Sequence, residues 1–182
     1  MSSAQVSRIT IRDSDDADVD AIARIYGHWV QHGLASFELT PPGADEIRRR
    51  RSAILAGGYP YIVAIGEDGR VLGYGYAGPY RTRPAYRFAC EDSVYVAPDA
   101  ARGGIGRSLL QTLILRCEAS GLRLMVAIIG DSGNEPSIAL HRALGFAQAG
   151  VLPAIGWKHG RWVDTLLMVR ALGAGASTPP VV

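Results

Sequence analysis

A strand, a glycine-rich segment, a helix and a second strand in the middle of the chain constrain its fold more than any other feature. The first strand, Tyr86–Val96, alternates apolar residues along most of its length, and the helix after it places Leu109, Leu113 and Cys117 on one face. The second strand, Leu122–Ile129, is almost entirely apolar, as a strand buried on both faces should be. Because strand–helix–strand connections within one sheet are right-handed, these segments predict a parallel pair inside a sheet.

The segments on either side extend this pair into a mixed sheet flanked by helices. A β-hairpin, with strands at residues 61–65 and 71–77 around the turn Glu67–Arg70, should form an antiparallel meander with the first central strand. The predicted fold class is α/β (α+β), with the element order β-α-α-β-β-β-α-β-α-β-β. The other predicted elements are a strand at 8–12, helices at 19–33, 45–56 and 134–144, and strands near 146–152 and 162–171, around a turn at 158–160.

Length and composition indicate a single domain and argue against several classes of function. The 182 residues, 48% apolar and 20% charged, suit one globular domain, which we place at residues 1–172 with a flexible tail at 173–182. A formal net charge of +2 gives no reason to expect a nucleic-acid or a membrane partner. Lys158 is the only lysine, which excludes a Walker A phosphate loop because that motif ends in a lysine after its glycines.

The cysteine and histidine content favours a cytoplasmic protein without a metal. Cys90 and Cys117 are too few for a disulfide framework or a zinc site, and both fall on apolar faces, where we interpret them as buried structural thiols. The first residues lack the apolar core of a signal peptide. His28 and His32 have the i,i+4 spacing of a zinc protease, but Trp29 stands where such an enzyme has glutamate.

Two charged clusters interrupt the apolar patterns. Glu91 and Asp92 lie within the first central strand, and a β-bulge is expected there. Arg48–Arg51 lies on the second helix without interleaved aromatic residues, which favours a solvated helix face over a basic binding patch.

The glycine-rich segment between the first central strand and its helix has the composition of an anion-binding loop. A chain that passes through glycines into a helix presents free backbone N–H groups and the positive end of the helix dipole. The flanking arginines add positive charge, and a pyrophosphate is the ligand that suits this arrangement. A glycine-rich turn with solvated arginines remains the alternative on this segment alone. The residues concerned are Arg102, Gly103, Gly104, Ile105, Gly106 and Arg107.

This loop resembles the coenzyme-A loop of the GNAT N-acetyltransferases, written Q/R-x-x-G-x-G/A, although Ala101 replaces the usual first residue. The element order matches that fold from end to end. Further segments resemble one branch of the family, the phosphinothricin and methionine-sulfoximine N-acetyltransferases. Those segments include Ser36–Glu38, Gly73–Tyr80, Glu91–Val96, Ala127–Gly130, Leu140–His141, Leu144–Phe146 and Gly156–Asp164.

The resemblance implies a binding site for acetyl-CoA as co-substrate. The backbone of Val94, Tyr95 and Val96 is expected to hold the pantetheine arm and the thioester like an added strand. The loop from residue 102 to residue 107 is expected to bind the pyrophosphate. Asn134 should contact the coenzyme near the start of its helix, with Ser137 nearby.

The resemblance also implies the catalytic residues. Acetyl transfer to an amine needs a group that takes a proton and a donor for the charge that develops on the thioester oxygen. Glu91 matches the family's glutamate and is the expected general base, with Asp92 as the competing carboxylate on the opposite face. His141 occupies the position where many GNAT enzymes have tyrosine, and both an acid role toward the thiolate and a purely structural role stay open.

Two arginines are the candidates for holding the acceptor. Arg81 and Arg83 lie one residue apart in the segment that leads into the strand of Glu91, so both can point the same way. Guanidinium groups bind carboxylates and phosphinates with two parallel hydrogen bonds, which suggests a clamp on the acidic groups of an amino acid. Solvated loop arginines remain the alternative. Phe37 and Glu38 are weaker candidates for the opposite wall.

These expectations describe an enzyme that transfers acetyl from acetyl-CoA to the α-amino group of a small acidic or sulfur-containing amino-acid analogue. Two alternatives stay open: another amine acceptor, such as a protein N-terminus or a polyamine, and a coenzyme-binding regulatory module without turnover. The resemblance implies a homodimer, and Trp157 and Trp162 could lie in the core, in a dimer contact or in a substrate wall.

Overall fold

The computed structural model describes residues 9–101 and 103–180, which form strands and helices in the predicted order. The strands are β1 (Thr10–Asp13), β2 (Tyr61–Ile65), β3 (Val71–Pro79), β4 (Ala89–Val96), β5 (Leu124–Gly130), β6 (Ala147–Lys158) and β7 (Arg161–Ala171). The helices are α1 (Val19–His32), α2 (Ala44–Ala56), α3 (Ile105–Ala119) and α4 (Glu135–Ala143). The predicted α/β fold class is confirmed.

One mixed sheet holds the strands in the order β1-β2-β3-β4-β5-β7-β6. The meander from β1 to β4 is antiparallel, whereas β4 and β5 are parallel and joined through α3, as the sequence predicts. β7 and β6 close the sheet with antiparallel pairs, so β6 is an edge strand. None of the helices among the described residues has the length and apolar character needed to cross a membrane.

Two layers of apolar side chains pack on the two faces of the sheet. On one face, α3 buries the predicted stripe that includes Leu109, Leu113 and Cys117, and Cys90 of β4 is buried beside it. On the other face, α1 and α2 cover a cluster that includes Ile22 and several tyrosines. Cys90 and Cys117 are both free and buried, and contact between the two thiols together with burial raises the pKa of Cys90.

The prediction of a β-bulge at Glu91 and Asp92 is wrong. β3 and β4 pair in continuous register from Gly73 opposite Val96 to Pro79 opposite Cys90. The irregularity lies on the other edge of β4, because its pairing with β5 runs only from Ala89 to Asp92 and the two strands separate beyond that point. The two carboxylates are accommodated without an extra residue, since they face opposite sides of the sheet.

Two basic side chains are buried, and one of them, Arg51, belongs to the helix face that was predicted to be solvated. Arg51, at the end of the arginine run on α2, donates to the side chain and the backbone oxygen of Ser14. Lys158 ends β6 and donates from Nζ to the backbone oxygen of Ser36 at 2.6 Å. The β6–β7 turn is formed by His159 and Gly160, which both have positive φ, as a two-residue hairpin turn of this hand requires.

Candidate active site

The separation of β4 from β5 opens a groove at the carboxyl ends of the two parallel strands. A cavity of about 60 Å³ lies there, between Asp92–Tyr95 on β4, Ala127–Gly130 on β5 and the facing side chains of α4. From Ser93 onward, the edge of β4 that faces β5 pairs with no strand in the described part of the chain. An extended ligand can therefore add to this edge through backbone hydrogen bonds. The oxygen of Val96 already accepts a hydrogen bond from Trp29 Nε1, at 2.8 Å.

The predicted anion-binding loop leads from this groove into α3. Gly104 precedes the helix with φ +76°, a conformation that favours glycine. None of the described side chains caps α3, so the N–H groups of its first turn can donate to an anion. Ile105 is buried and anchors the helix, whereas Arg107 is exposed. Arg102 lies outside the described residues, between the described Ala101 and Gly103.

The start of α4 borders the same groove. Asn134 caps this helix by accepting a hydrogen bond from Ser137 N at 3.3 Å, as the sequence predicts. Both residues line the cavity between β4 and β5. The structure therefore brings together the described candidate coenzyme-binding residues on β4 and α4.

His141 and Asp92 form a buried dyad at the base of the groove. His141 Nε2 lies 3.1 Å from Asp92 Oδ2, and Nδ1 lies 2.8 Å from the backbone oxygen of Ser137. A backbone oxygen only accepts, so Nδ1 carries a proton. Burial alone lowers the pKa of His141, but the hydrogen bond and the charge of Asp92 outweigh it, and the pKa is raised. Asp92 Oδ1 is buried without a hydrogen-bond partner among the described residues.

Glu91 has different surroundings from its neighbour. It is half-buried on the α1–α2 side of the sheet and makes no hydrogen bond or ion pair with another described residue. Burial raises the pKa of Glu91, the negative charge of Asp92 raises it further, and the positive charge of Arg81 lowers it. The structure thus places Glu91 and His141 on opposite faces of β4 and pairs His141 with Asp92 instead.

The two candidate acceptor-binding arginines lie in the exposed loop between β3 and β4. Arg81 stacks over the ring of Tyr80 at 4.3 Å from the ring centre and donates to the Tyr80 oxygen. The loop begins beside Glu91, because Gly78 pairs with Glu91 and Pro79 with Cys90, and the positive charge of Arg81 lowers the pKa of Glu91. Arg83 is exposed and precedes a short 3₁₀ turn.

The segment with Phe37 and Glu38 packs tightly against the end of the sheet. Phe37 lies against Gly156, where a Cβ would overlap its ring, and its side chain is partly exposed. Glu38 accepts from the hydroxyl of Tyr26 at 2.8 Å and from Arg50 at 2.5 Å, so its carboxylate is already paired. The sequence gives no sign of these contacts, because Gly156 and Arg50 come from distant elements.

Sequence reasoning also missed a group of tyrosines beside Glu91. Tyr26, Tyr61, Tyr74, Tyr76 and Tyr95 lie together between the sheet and α1. Ring centres lie 5.0 Å apart for Tyr61 and Tyr76, and 5.3 Å apart for Tyr74 and Tyr95. The alternation of tyrosine with glycine on β3 was a signal that these rings share one face.

Comparison with known proteins identifies relatives along almost the whole chain. A model of the acetyltransferase (GNAT) family matches residues 28–146. A phosphinothricin N-acetyltransferase of Alcaligenes faecalis is 54% identical over 171 residues, which cover 94% of this chain and 86% of that protein. An L-methionine sulfoximine/L-methionine sulfone acetyltransferase of Pseudomonas aeruginosa is 41% identical over 170 residues, which cover 93% of this chain and 98% of that protein.

A solved structure shares the fold closely. The crystal structure of a GNAT superfamily phosphinothricin acetyltransferase from Sinorhizobium meliloti, in complex with acetyl-CoA, matches with a TM-score of 0.93 at 49% sequence identity. The match covers 95% of this chain and 93% of that one.

Proposed function

The chain belongs to the acetyltransferase (GNAT) family, and from that premise we propose that it transfers the acetyl group of acetyl-CoA to the α-amino group of a small amino-acid-like substrate. Phosphinothricin and methionine sulfoximine or sulfone are the first acceptors to consider, because relatives 54% and 41% identical are named for those compounds. One observation carries the proposal: β4 separates from β5 beside the uncapped start of α3, and the same strand bears the unpartnered carboxylate of Glu91.

The groove and the loop fit the two parts of the coenzyme. The unpaired edge of β4, from Val94 to Val96, binds the pantetheine arm as an added strand would bind. The free N–H groups at the start of α3, with Gly103, Gly104 and Gly106 beside them, bind the pyrophosphate. Asn134 and Ser137 line the far wall of the groove.

Glu91 is the general base of this mechanism. Its carboxylate takes a proton from the acceptor ammonium, so that the nitrogen lone pair can attack the thioester carbon. A backbone N–H on β4 stabilises the negative charge on the carbonyl oxygen. The C–N bond forms first, and the C–S bond breaks as the carbonyl is restored. The second proton on the nitrogen passes to solvent, from which His141 is protonated again before the next turnover. The raised pKa of Glu91 brings its basicity closer to that of a group working near neutral pH.

His141 supplies the proton that the leaving thiolate needs. The dyad with Asp92 holds His141 as an imidazolium to higher pH than an isolated histidine, and the ring borders the groove. The Nε2 proton is directed at Asp92 Oδ2, so its transfer to sulfur breaks that hydrogen bond. The neutral imidazole that remains still donates from Nδ1 to the Ser137 oxygen. Asp92 is a positioning residue in this step, because it acts on the reaction through His141.

Arg81 and Arg83 bind the acidic groups of the acceptor. The charge of Arg81 reaches Glu91, so a carboxylate held by its guanidinium places the α-amino group near the base. Phe37 contributes the partly exposed apolar wall, whereas Glu38 supports that wall through its pairing with Arg50 and Tyr26.

Release of thiol from acetyl-CoA across a panel of acceptors tests the proposal. The panel contains phosphinothricin, methionine sulfoximine, methionine sulfone, a polyamine and a peptide with a free N-terminus. We expect turnover with at least one amino-acid analogue and none with the polyamine. Binding of acetyl-CoA without turnover on any amine would instead identify a regulatory module, and a preference for the peptide would identify a protein N-acetyltransferase.

A homodimer formed through the β6–β7 side of the sheet is part of the proposal. Trp157 and Trp162 are 56% and 62% exposed, so neither side chain belongs to the core of the monomer. Their rings contact each other across the strand pair. Ile155 on the edge strand is also more than half exposed. A second copy that packs against this edge buries the exposed tryptophan rings and covers the unpaired edge of β6.

Sedimentation velocity tests the dimer. We expect the wild type to sediment as a dimer at micromolar concentration and Trp162→Ser to shift the equilibrium toward monomer. A wild type that stays monomeric at these concentrations would contradict the proposed interface.

A further inference from the structure

The loop that joins α1 to α2, residues 33–43, forms one wall of the groove between β4 and β5. Ala35 of this loop and His141 of α4 both line the cavity of about 60 Å³ in the groove. α4 packs with α3 on one face of the sheet, whereas α1 and α2 cover the other face, so the two residues reach the groove from opposite faces. The wall at Ala35 therefore depends on how the loop is held.

The loop backbone packs directly on the sheet at the end of β5. A Cβ at Gly130 would overlap the backbone oxygen of Leu34 and would lie 3.2 Å from the Cα of Ala35. Glycine at this position therefore permits the close approach. Phe37 makes a second close contact, because its ring fills the space beside Gly156 on β6. Both contacts are van der Waals contacts, which do not by themselves prevent the loop from moving away.

Lys158 at the end of β6 ties the loop down. Its side chain is only 3% exposed, and Nζ donates to the backbone oxygen of Ser36 at 2.6 Å. The hydroxyl of Ser36 lies 2.9 Å from that of Tyr26 and accepts from the backbone N of Glu38 at 3.2 Å. Burial of an ammonium group costs free energy, but a hydrogen bond from a charged donor is stronger than one from a neutral donor. This bond fixes the residue next to Ala35.

The cavity is too small to be indifferent to the length of an acyl chain. Pockets for small molecules have volumes of roughly 300–1,000 Å³, several times the volume of this cavity. In the proposed mechanism the thioester sulfur lies beside His141, so the acyl carbons extend across the groove toward Ala35. Each further methylene group must displace the loop, and well-packed walls resist such an addition.

We infer that Lys158 is a positioning residue that, through Ser36, holds Ala35 at the groove and thereby limits the transferred acyl group to acetyl. The inference rests on the proposed function, because it places the thioester in this groove. Without the bond from Lys158 the loop withdraws from β5, and the groove then admits a propionyl group. The effect of Lys158 is on the choice of donor, since its side chain lies at the loop and does not line the cavity.

Comparison of acetyl-CoA with propionyl-CoA as donors tests this role. The wild type should prefer acetyl-CoA at least tenfold in kcat/KM, because one methylene group in a tight pocket changes this ratio by about 10–200-fold. Lys158→Met keeps the length of the side chain, loses the donor and should lower the preference about tenfold. A merely structural role would reduce the rates with both donors by the same factor and leave the ratio unchanged, which would overturn the inference.

Two further variants and a control separate the bond from the wall. Lys158→Gln keeps an uncharged donor on a shorter side chain and should lower the preference less; it decides the role of Lys158 if the methionine variant does not fold. Ala35→Gly trims the wall without touching the bond and should also lower the preference. A change in Ala35→Gly with no change in the Lys158 variants would overturn the role of Lys158. Arg24→Met, an exposed change on α1, is the control and should keep the wild-type ratio.

Binding measurements separate failure of this inference from failure of the proposed function. Calorimetry with acetyl-CoA and propionyl-CoA, without an acceptor, measures the preference without turnover. A wild type that binds acetyl-CoA at least tenfold more tightly, loses this preference in Lys158→Met and acetylates no amine would support the role of Lys158 and overturn the proposed function. A wild type that acetylates an amino-acid analogue but uses both donors equally would overturn the inference and leave the proposed function standing.

Discussion

Glu91 and Asp92 are adjacent carboxylates on β4 with opposite surroundings. Asp92 points toward α4, where it is buried and bonded to His141. Glu91 points toward α1 and α2, where it is half-buried beside tyrosine rings and has no hydrogen-bond partner. Both side chains lie at the point where β4 parts from β5.

The difference follows from the alternation of a strand and has a chemical consequence. Successive side chains on a strand face opposite sides of a sheet, so two neighbours in sequence can belong to two separate environments. A carboxylate fixed in a buried pair can orient a histidine, but it is not free to collect a proton from substrate. A carboxylate without a partner, raised in pKa by burial, can do so.

Removal of the free carboxylate should have the largest effect. Glu91→Gln is expected to lower kcat at neutral pH by about 10²–10⁴-fold, because a positioned base contributes that much to proton transfer. Acetyl-CoA binding should be intact, since Glu91 does not line the cavity between β4 and β5. Steady-state kinetics and calorimetry measure both quantities.

Glu67→Gln is the matched control for this variant, because Glu67 is an exposed glutamate in the β2–β3 turn. It should leave kcat unchanged. Activity of Glu91→Gln within about threefold of the wild type between pH 6 and 9 would remove Glu91 from the mechanism.

Breaking the buried dyad should have the next largest effect, of about 10²-fold on kcat. In Asp92→Asn, burial is no longer opposed by a negative charge, so the pKa of His141 should fall below its ordinary value of 6.5 and the ring should be neutral at pH 7. NMR titration of His141 distinguishes this mechanism from simple misfolding. Asp20→Asn, an exposed change on α1, is the control.

The dyad also predicts how stability depends on pH. The pKa of His141 is raised in the folded state, so its contribution to stability is complete below the pKa of the unfolded chain and is lost as pH rises through the folded pKa. Asp92→Asn should therefore lower Tm more at pH 6 than at pH 9. An equal loss of Tm at both pH values would show that an ion pair between His141 and Asp92 does not contribute to stability.

The sequence predicts those parts of the site that depend on local patterns. The strand, the glycines before α3 and the Asn134 cap each follow from residues close together in the chain, and the structure confirms all three as structural features. The opposite facing of Glu91 and Asp92 follows from strand alternation, which holds because β4 has no bulge.

The parts that the sequence could not provide depend on contacts between distant elements. Lys158 is buried because Ser36, 122 residues away, offers a backbone oxygen. The group of tyrosines beside Glu91 is covered because α1 and α2 pack over this face of the sheet, and that packing cannot be derived from a local sequence pattern. The pairing of His141 with Asp92 likewise requires α4 to dock against the far side of β4.

Removing either acceptor arginine should have a moderate effect, confined to the acceptor. Arg81→Ala and Arg83→Ala are each expected to raise the acceptor KM at least tenfold, because a charge-assisted hydrogen bond contributes about 1.5–3 kcal/mol. The KM for acetyl-CoA should not change, since neither residue lines the groove. Lysine at either position should rescue only partly, because a point charge cannot form two parallel hydrogen bonds. An unchanged acceptor KM in both alanine variants would move the acceptor site away from this loop.

The smallest expected effect is a shift in the pH profile of kcat/KM. Loss of Arg81 should cause this shift and loss of Arg83 should not, because only Arg81 affects the pKa of Glu91. The mechanism needs the deprotonated carboxylate, so activity falls as pH drops through the pKa of Glu91, which burial places above its ordinary value of 4.5. The charge of Arg81 partly opposes that increase. Arg81→Ala should therefore raise the pKa further and move the acid limb of the kcat/KM profile to higher pH. Arg83 does not contribute to the pKa of Glu91, so Arg83→Ala should leave the limb in place. If the acid limb moves equally in both variants, the titrating group is the substrate or another residue. Glu91 would then not be the base that sets this limb.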